Sequence, residues 1–278
     1  MRGATVQIWV NGRLHDAEEA TVSVLDHGMT VGDGVFETVK TTDGRPFALR
    51  RHIDRLERSA RGLGLPTPDR AEVERACAAV LEANPTALGR LRITYTGGVA
   101  PLGSERGEIT PTLVVALGPT VRRTGATPVV TVPWRRNEHA ATAGLKTTSY
   151  AENVVALARA HQHDAGEALL ANTAGMLCEG TASNVFVVVG GRLLTPPLSS
   201  GCLAGITRAL VLEWTDAEEA DLPYSVLQEA EEVFLTGTLR DVQGVSRVDQ
   251  RELAGAPGHV TVKVGEIFAA RAAADLEP

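Results

Sequence analysis

The stretch from Glu179 to Arg208 constrains this chain more than any other part of it. It reads E-G-T-A-S-N-V-F at 179–186, L-L-T at 193–195 and L-A-G-I-T-R at 203–208. The pattern predicts two short strands followed by a G-I-T step that favours the start of a helix. The first backbone N–H groups of a helix have no partner within it, so this step is a candidate anion site. A carboxylate, Glu179, precedes it on the same stretch.

Lysine is scarce in this sequence. Among 27 basic residues only Lys40, Lys146 and Lys263 are lysines, and a lysine amine can form an imine with an aldehyde whereas an arginine cannot. Lys263 has no polar cluster around it, and Lys40 lies in a strand-like run. Lys146 lies in G-L-K-T-T-S-Y-A-E-N, a hydroxyl-rich approach to a helix. Its position alone leaves open a solvated lysine at a helix start.

The composition excludes several classes of protein. The formal net charge of −7 and the lack of a basic stripe argue against a nucleic-acid partner. No apolar run approaches the roughly 20 residues that span a bilayer, and the N-terminus shows no signal-peptide core. Three cysteines without metal-ligand spacing favour a reduced, cytoplasmic protein with no metal site.

The order of predicted elements indicates a mixed α+β / α/β protein of two domains. We expect a small N-terminal α+β domain at 1–117, a linker at 118–125 and a larger C-terminal domain at 126–278. Strands are predicted in the first domain at 35–41, 46–49, 91–95 and 112–116, with a hairpin at 6–14 and helices at 52–63 and 71–83. Strands are predicted in the second at 128–132, 167–171, 184–189, 192–194, 233–235 and 242–248, with helices at 149–163, from about 207, and at 259–274.

A lysine, a carboxylate and a phosphate cup are what a protein needs to hold and use pyridoxal 5'-phosphate (PLP). Lys146 would hold the aldehyde, and Glu179 would keep the pyridine nitrogen protonated. Gly205, Ile206 and Thr207 would supply backbone N–H groups and a hydroxyl to the phosphate. A turn glutamate and a helix start without a ligand remain the alternatives.

Two further residues are candidates for the phosphate. Thr238 follows a strand in T-G-T and offers a second hydroxyl, although an ordinary strand-end turn has the same pattern. Arg55, in H-I-D-R-L, would add a fixed positive charge, although a solvated helix arginine is common.

A third group of residues is a candidate for binding the substrate. Alternation places Phe36, Thr38 and Lys40 on one strand face, which either borders a pocket or belongs to the core. Arg92 would receive a carboxylate, although exposed strand arginines are the default. Tyr150 and Asn153 are three residues apart near Lys146, and they would steer the substrate or cap and pack locally.

Together these residues resemble the class IV, fold-type IV PLP enzymes. The resemblance runs through Glu179, Thr181, Asn184, Phe186, Thr195, Gly205, Ile206 and Arg208, and G-D-G-V-F-E and H-x-x-R-L extend it over nearly the whole chain. It implies a small and a larger domain with PLP between them, and a homodimer acting on a small-molecule amine. It also implies that Lys146 holds the cofactor, that Glu179 pairs with the pyridine nitrogen, and that Arg55, Ile206, Thr207 and Thr238 bind the phosphate.

Within the family, the chain is most similar to the 4-amino-4-deoxychorismate lyases, which form 4-aminobenzoate and pyruvate in folate biosynthesis. The likeness lies in L-R-I-T-Y-T-G-G-V-A-P-L-G, G-L-K-T-T-S-Y-A-E-N and T-G-T-L-R-D-V. D-Amino-acid aminotransferases carry an Arg-x-His carboxylate trap after the 91–95 strand, and this chain has no such pair there. Branched-chain aminotransferases have an arginine where Lys40 lies. We therefore expect a lyase, with a branched-chain or D-amino-acid transaminase as the alternative.

Overall fold

The computed structural model describes residues 6–278, which form two compact units. The first unit runs to Val121 and includes Leu145–Ser149 and Leu276–Pro278, and the second comprises Arg122–Gly144 and Tyr150–Asp275. The chain passes from one to the other within the predicted linker, 118–125. The two units differ from the predicted domains because 145–149 and 276–278 pack with the first unit. Lys146 therefore belongs to the first unit.

The first unit is an antiparallel sheet with two long helices. Its elements are β1 (Gln7–Val10), β2 (Arg13–Asp16), α1 (His27–Thr30), β3 (Gly34–Thr42), β4 (Arg45–Pro46), α2 (Leu49–Gly62), α3 (Arg70–Ala83), β5 (Leu88–Thr96) and β6 (Thr112–Pro119). Within residues 6–278 the sheet has six strands in the order β2-β1-β6-β5-β3-β4. The predicted hairpin is confirmed, with Val10 opposite Arg13 across the Asn11-Gly12 turn.

The two faces of β3 have different surroundings, since one of them packs against the helices of the first unit. Val35 and Val39 are fully buried against Ile53 and Leu56 of α2, so odd-numbered residues of β3 face the helices. Even-numbered residues, beginning with Phe36, lie on the opposite face of the strand. The helices α2 and α3 cover the face formed by the odd-numbered residues. The sequence pattern alone left open whether the face with Phe36 also belongs to the core.

One predicted strand of the first unit is wrong in extent. The sequence favoured a strand at 46–49, but β4 ends at Pro46 and α2 begins at Leu49. Ala48 takes a left-handed conformation, with φ of 54°, and turns the chain directly into the helix. The other predicted elements of this unit occur, most of them with longer bounds, and α2 both begins and ends earlier than the predicted helix 52–63.

The second unit is built on a mixed sheet. Its elements are β7 (Thr127–Arg136), α4 (Ala151–His161), β8 (Glu167–Asn172), β9 (Leu177–Gly180), β10 (Asn184–Val189), β11 (Arg192–Thr195), α5 (Ile206–Trp214), β12 (Glu218–Glu219), β13 (Glu232–Gly237), β14 (Asp241–Val248), β15 (Arg251–Glu252) and α6 (His259–Ala274). Over the described part of the chain the strand order is β12-β11-β10-β13-β14-β7-β8-β9, and β15 pairs with β14. β7 runs parallel to both β8 and β14.

Two apolar clusters cover opposite faces of this sheet. Val130, Val132 and Leu170 pack with Ala156 and Ala160 of α4. The neighbouring Val129 and Leu169 pack with Val226 and Leu227, in the 3₁₀ helix Tyr224–Gln228. This alternation explains the continuous apolar run Ala168–Ala171 of β8, which is typical of a strand buried on both faces.

The sequence did not predict β9, the strand that carries Glu179. β9 pairs with β8 through Leu177 and Glu179, with a register shift between Leu170 and Ala171. This irregularity interrupts the period-two pattern on which the prediction of strands depends. Among the described residues, no helix is long and apolar enough to cross a membrane.

Candidate active site

The segment that carries Lys146 is fixed to β3 and α2 by its backbone. The Lys146 N–H donates to Ser59 Oγ over 3.2 Å, and its carbonyl accepts from the Phe36 N–H over 2.9 Å. The Thr148 N–H donates to the Gly34 carbonyl over 2.8 Å. Residues 146–148 therefore continue the pairing of β3, and the position of the lysine does not depend on its own side chain.

The side chains of Lys146 and of the predicted substrate residue Arg92 both lie close to the ring of Phe36. Its Nζ is 4.4 Å from the centre of the Phe36 ring, and the guanidinium carbon of Arg92 is 3.3 Å from the same centre. An aromatic ring attracts a cation at its face. The structure thus brings Lys146, Phe36 and Arg92 into one cluster.

Thr38 and Lys40 extend this face of the sheet. Thr38 pairs with Arg92 and Lys40 pairs with Arg90 across β3 and β5. Side chains directly opposite each other on a sheet are close enough to interact, and like charges there repel. The face is therefore strongly basic, which suits an anionic ligand.

Arg55 lies in a buried charge cluster. Its Nε and Nη2 donate to the two oxygens of Glu37, each over 2.7 Å, and His52 Nδ1 lies 2.6 Å from Glu37 Oε2. Glu37 is fully buried, while Arg55 is 4% exposed. Burial acts to raise the pKa of Glu37, but the charge of Arg55 and its hydrogen bonds outweigh burial and hold that pKa far below the usual range.

Glu37 and His52 were not predicted as site residues. Odd-numbered residues of β3 face the core, so a carboxylate at 37 needs a cationic partner, because an unpaired buried charge is very costly. His52 and Arg55 lie three residues apart on the facing helix. That spacing is the sequence signal from which Glu37 and His52 could have been found.

The carboxylate of Glu179 lies among hydrogen-bond donors of the second unit. Its Oε2 accepts from the Leu203 N–H over 2.9 Å, and its Oε1 lies 3.3 Å from Arg136 Nε. Arg136 also donates from Nη1 to Glu152 over 2.6 Å. A carboxylate stabilised in this way can accept a hydrogen bond from a protonated ring nitrogen, so Glu179 fits its predicted role.

The predicted phosphate cup is the open N-terminus of α5. Gly205 is the N-cap residue and no side chain caps the helix there, so the N–H groups that follow suit an anion, and their binding of the phosphate stays a prediction. A Cβ at position 205 would overlap Asn184 Oδ1. Asn184 also donates from Nδ2 to the Leu203 carbonyl over 2.8 Å, which fixes the approach to the helix. Ile206 and Thr207 are the first helical residues, and this donor set fits a phosphate.

Thr238 and Asn153 lie in local structure of the second unit. Thr238 is half-buried in the turn that closes with the Arg240 N–H donating to the Gly237 carbonyl over 3.0 Å. Asn153 is buried and donates to the Thr181 carbonyl over 2.6 Å. Tyr150 is the N-cap residue of α4 rather than part of the helix. Asn153 therefore makes the local contact that the sequence left open, and its contact with substrate stays a prediction.

Residues 34–248 match the family model of class IV aminotransferases. That match covers well over half of the chain. The chain belongs to the class IV aminotransferase family. It is therefore an enzyme of a PLP-dependent family with the fold of type IV PLP enzymes. The resemblance inferred from the sequence and the predicted cofactor are both confirmed.

Curated relatives and solved structures extend the match over nearly the full length. A putative branched-chain-amino-acid aminotransferase of Methanocaldococcus jannaschii is 32% identical, with 95% of each chain covered. A D-alanine aminotransferase of Bacillus licheniformis is 30% identical, covering 93% of this chain and 94% of the relative. The branched-chain aminotransferase of Thermoproteus uzoniensis with norvaline superposes with a TM-score of 0.89 at 28% identity, covering 95% and 94%.

These names favour the alternative interpretation of the sequence over the first one. The relatives reported above are aminotransferases, and none of them is named a lyase. The expected lyase activity and its place in folate biosynthesis thus gain no support from these comparisons. The chemistry common to both interpretations, a PLP-dependent reaction on an amine, is supported.

Proposed function

We propose that this protein is a transaminase that moves an amino group between an α-amino acid and an α-keto acid. The observation that carries the proposal is the position of Lys146, which is fixed by its backbone and has its amine 4.4 Å from the Phe36 ring centre. The full-length similarity to aminotransferases supports the same reaction. When bound, PLP supplies an aldehyde for the substrate amine and a ring that withdraws electrons from the α-carbon.

Each site residue then has a defined task. Lys146 Nζ would hold the cofactor and, as a free amine, would carry the proton to and from the substrate α-carbon. The Glu179 carboxylate would accept a hydrogen bond from the ring nitrogen and keep that nitrogen protonated. The phosphate would be held by Arg55, the N–H groups of Ile206 and Thr207, and the Thr238 hydroxyl. Gly205 leaves the helix start open.

We assign the substrate carboxylate to the basic face of β3 and β5. Arg92 and Lys146 both lie against the ring of Phe36, and Thr38 and Lys40 are neighbours of Arg92 on the same sheet face. A fixed guanidinium suits a carboxylate because its planar N–H groups match the two oxygens. Tyr150 and Asn153 are proposed to border the amino-acid side chain.

The loop after β5 favours a branched-chain over a D-amino-acid substrate. Its arginine, Arg106, donates to both oxygens of Asp33 over 2.7 Å and to the Leu63 carbonyl over 2.7 Å. Arg106 is thus engaged with the protein rather than arranged as the Arg-x-His carboxylate trap. The relative with 32% identity carries the branched-chain name.

A lyase remains the second candidate because of the charge on the same face. Lys40 and Arg90 lie opposite each other, two residues along the strands from Arg92. Three cations on one face suit a substrate with more than one carboxylate, such as aminodeoxychorismate. We also propose a homodimer located in the cytoplasm, and the size of the purified protein tests whether it is a dimer.

One set of assays separates these candidates. The purified holoenzyme is incubated with L-leucine or L-isoleucine and α-ketoglutarate, with D-alanine and α-ketoglutarate, and with aminodeoxychorismate alone. We expect amino transfer from the branched-chain L-amino acids that requires the keto acid. Release of pyruvate from aminodeoxychorismate without a keto acid, with no amino transfer, would replace the transaminase by the lyase.

A further inference from the structure

A single buried carboxylate joins two loops of the second unit. Glu167, the first residue of β8, is fully buried. Its Oε1 accepts from the Thr181 N–H over 3.0 Å and from the Thr181 hydroxyl, and its Oε2 accepts from the Ser183 hydroxyl over 3.0 Å. These bonds fix the loop 181–183, which follows Glu179 by one glycine. A Cβ on that glycine would press against both Glu167 and Ser183.

Arg240 connects the same carboxylate to the turn that carries Thr238. Its Nη2 donates to Glu167 Oε2 over 3.1 Å and to the Gly166 carbonyl over 3.0 Å, and its Nη1 donates to Gln243 over 2.5 Å. The Arg240 side chain is 7% exposed. Its backbone N–H also closes the turn on Gly237. Both ends of the turn are therefore fixed, one by the strand β13 and one by the Arg240 side chain.

The two loops also lie close to each other. A Cβ at Gly237 would lie 3.3 Å from the Ala182 carbonyl, and Asn184 pairs with Thr236 across β10 and β13. The Glu167–Arg240 pair thus holds in place the two segments that flank this contact. Burial acts to lower the pKa of Arg240, whereas Glu167 acts to raise it.

We propose that Arg240 and Glu167 are positioning residues that set the Thr238 hydroxyl for the cofactor phosphate. This inference rests on the proposed assignment of Thr238 to the phosphate. Arg240 is two residues from Thr238 within one closed turn, so loss of its hydrogen bonds frees the turn and the hydroxyl with it. A hydroxyl that must meet a dianion in a fixed direction is sensitive to such freedom. The Glu167 carboxylate supplies the charge that keeps the buried guanidinium in place.

The test measures retention of the cofactor rather than turnover. Purified R240Q and wild-type holoenzymes are diluted, and release of PLP is followed by absorbance. We expect R240Q to release PLP about tenfold faster or more, the scale seen when a supporting residue of a ligand is removed. R240K keeps the charge but donates from a single nitrogen rather than from the planar guanidinium, so its release rate is expected between the two. R251Q is the control, because Arg251 also donates to two carbonyls of this unit, those of Leu227 and Ala230.

Two further measurements separate positioning from a general loss of stability. After removal of the cofactor, each variant is titrated with PLP and with pyridoxal, which has no phosphate. We expect R240Q to weaken PLP binding about tenfold and to change pyridoxal binding less than about threefold. In the T238A background, R240Q should change PLP release less than about threefold, because the hydroxyl it positions is gone.

Failure of the positioning role and failure of the proposed function give different results. Equal losses for PLP and pyridoxal, or an R240Q effect that is unchanged in the T238A background, would overturn the positioning role. If R240Q does not fold, the binding of PLP and of pyridoxal is compared in R240K and E167Q instead. Wild-type holoenzyme that retains PLP but does not transaminate would remove the proposed function and leave this inference standing.

Discussion

The carboxylate of Glu37 accepts two hydrogen bonds of 2.7 Å from the guanidinium of Arg55, and both groups are buried. The pair fixes Arg55 in the first unit before any phosphate is bound. Because Glu37 lies on the β3 face that packs against α2, its orientation is set by the same alternation that builds the core. The charge of Arg55, which we propose to face the phosphate, is therefore held in place by the fold itself.

Removing the charge of Glu37 should destabilise the protein strongly. E37Q leaves the guanidinium of Arg55 buried without its counter-charge, so we expect a loss of about 3–5 kcal/mol in the free energy of unfolding. Urea unfolding of the purified variant measures it, with E74Q on the exposed side of α3 as the control. E37Q/R55Q should recover part of the loss. If E37Q unfolds like E74Q, the ion pair does not stabilise the first unit.

The buried imidazole of His52 should make stability fall at mildly acidic pH. Burial lowers the pKa of His52, and Arg55 and Lys146 act in the same direction, while Glu37 acts to raise it. The unfolded chain then binds a proton near pH 6.5 that the folded chain does not. The contribution of the neutral His52 to stability is therefore fully present above about pH 6.5 and is lost as the pH falls below that value.

H52N tests this pH dependence, since its amide can keep a donor near Glu37 without titrating. Unfolding free energies measured from pH 8 to pH 5 should fall in the wild type and stay nearly flat in H52N over the upper part of this range. H139N, at an exposed histidine, should behave like the wild type. An equal slope in H52N and the wild type would assign the pH dependence to other groups.

A methyl group at Gly205 should disturb the N-terminus of α5. A Cβ there overlaps Asn184 Oδ1, so G205A must move the side chain that fixes the Leu203 carbonyl. We expect a loss of about 1–3 kcal/mol and faster release of PLP. G265A is the matched control, since a Cβ at this helical position meets nothing within 4 Å. It should stabilise α6 by about 0.5–1 kcal/mol. G205A as stable as the wild type would contradict the steric role.

The C-terminal residues cap α2, the helix that carries His52, Arg55 and Ser59. The Glu277 carboxylate accepts from the N–H groups of Leu49 and Arg50, each over 3.1 Å. Because Ala48 provides no side-chain cap, E277A should cost about 0.5–2 kcal/mol of stability. Thermal unfolding measures this cost, with E266A on the exposed face of α6 as the control. A melting temperature equal to that of E266A would show that Glu277 does not stabilise the helix.

Much of the fold follows from local pattern. The strands β3, β5, β10 and β14 and the helices α2, α3 and α6 were predicted close to their bounds, because period-two and helical apolar spacing is strong there. The sequence could not show that 145–149 packs with the first unit. That pairing depends on backbone hydrogen bonds to Gly34 and Phe36, which no side-chain pattern records.

Part of the site pattern has a structural reason that the sequence did not reveal. Thr195 donates from its hydroxyl to the Val185 carbonyl over 2.8 Å, and the Phe186 ring stacks on Phe234 at 4.9 Å. Arg208 donates to the Pro196 carbonyl over 2.7 Å. These residues of the motif hold the strands and the approach to α5, whereas cofactor binding is the role that we propose for Glu179 and the start of α5.

Lys146 is the residue on which the proposed chemistry depends, and its bond to the cofactor can be mapped directly. The holoenzyme is reduced with borohydride, which fixes the bond between a lysine amine and PLP, and is then digested for peptide mass analysis. The account predicts a pyridoxyl group on Lys146 alone, and no trapped group in folded K146A. A pyridoxyl group on Lys40 or Lys263, with Lys146 unmodified, would contradict it.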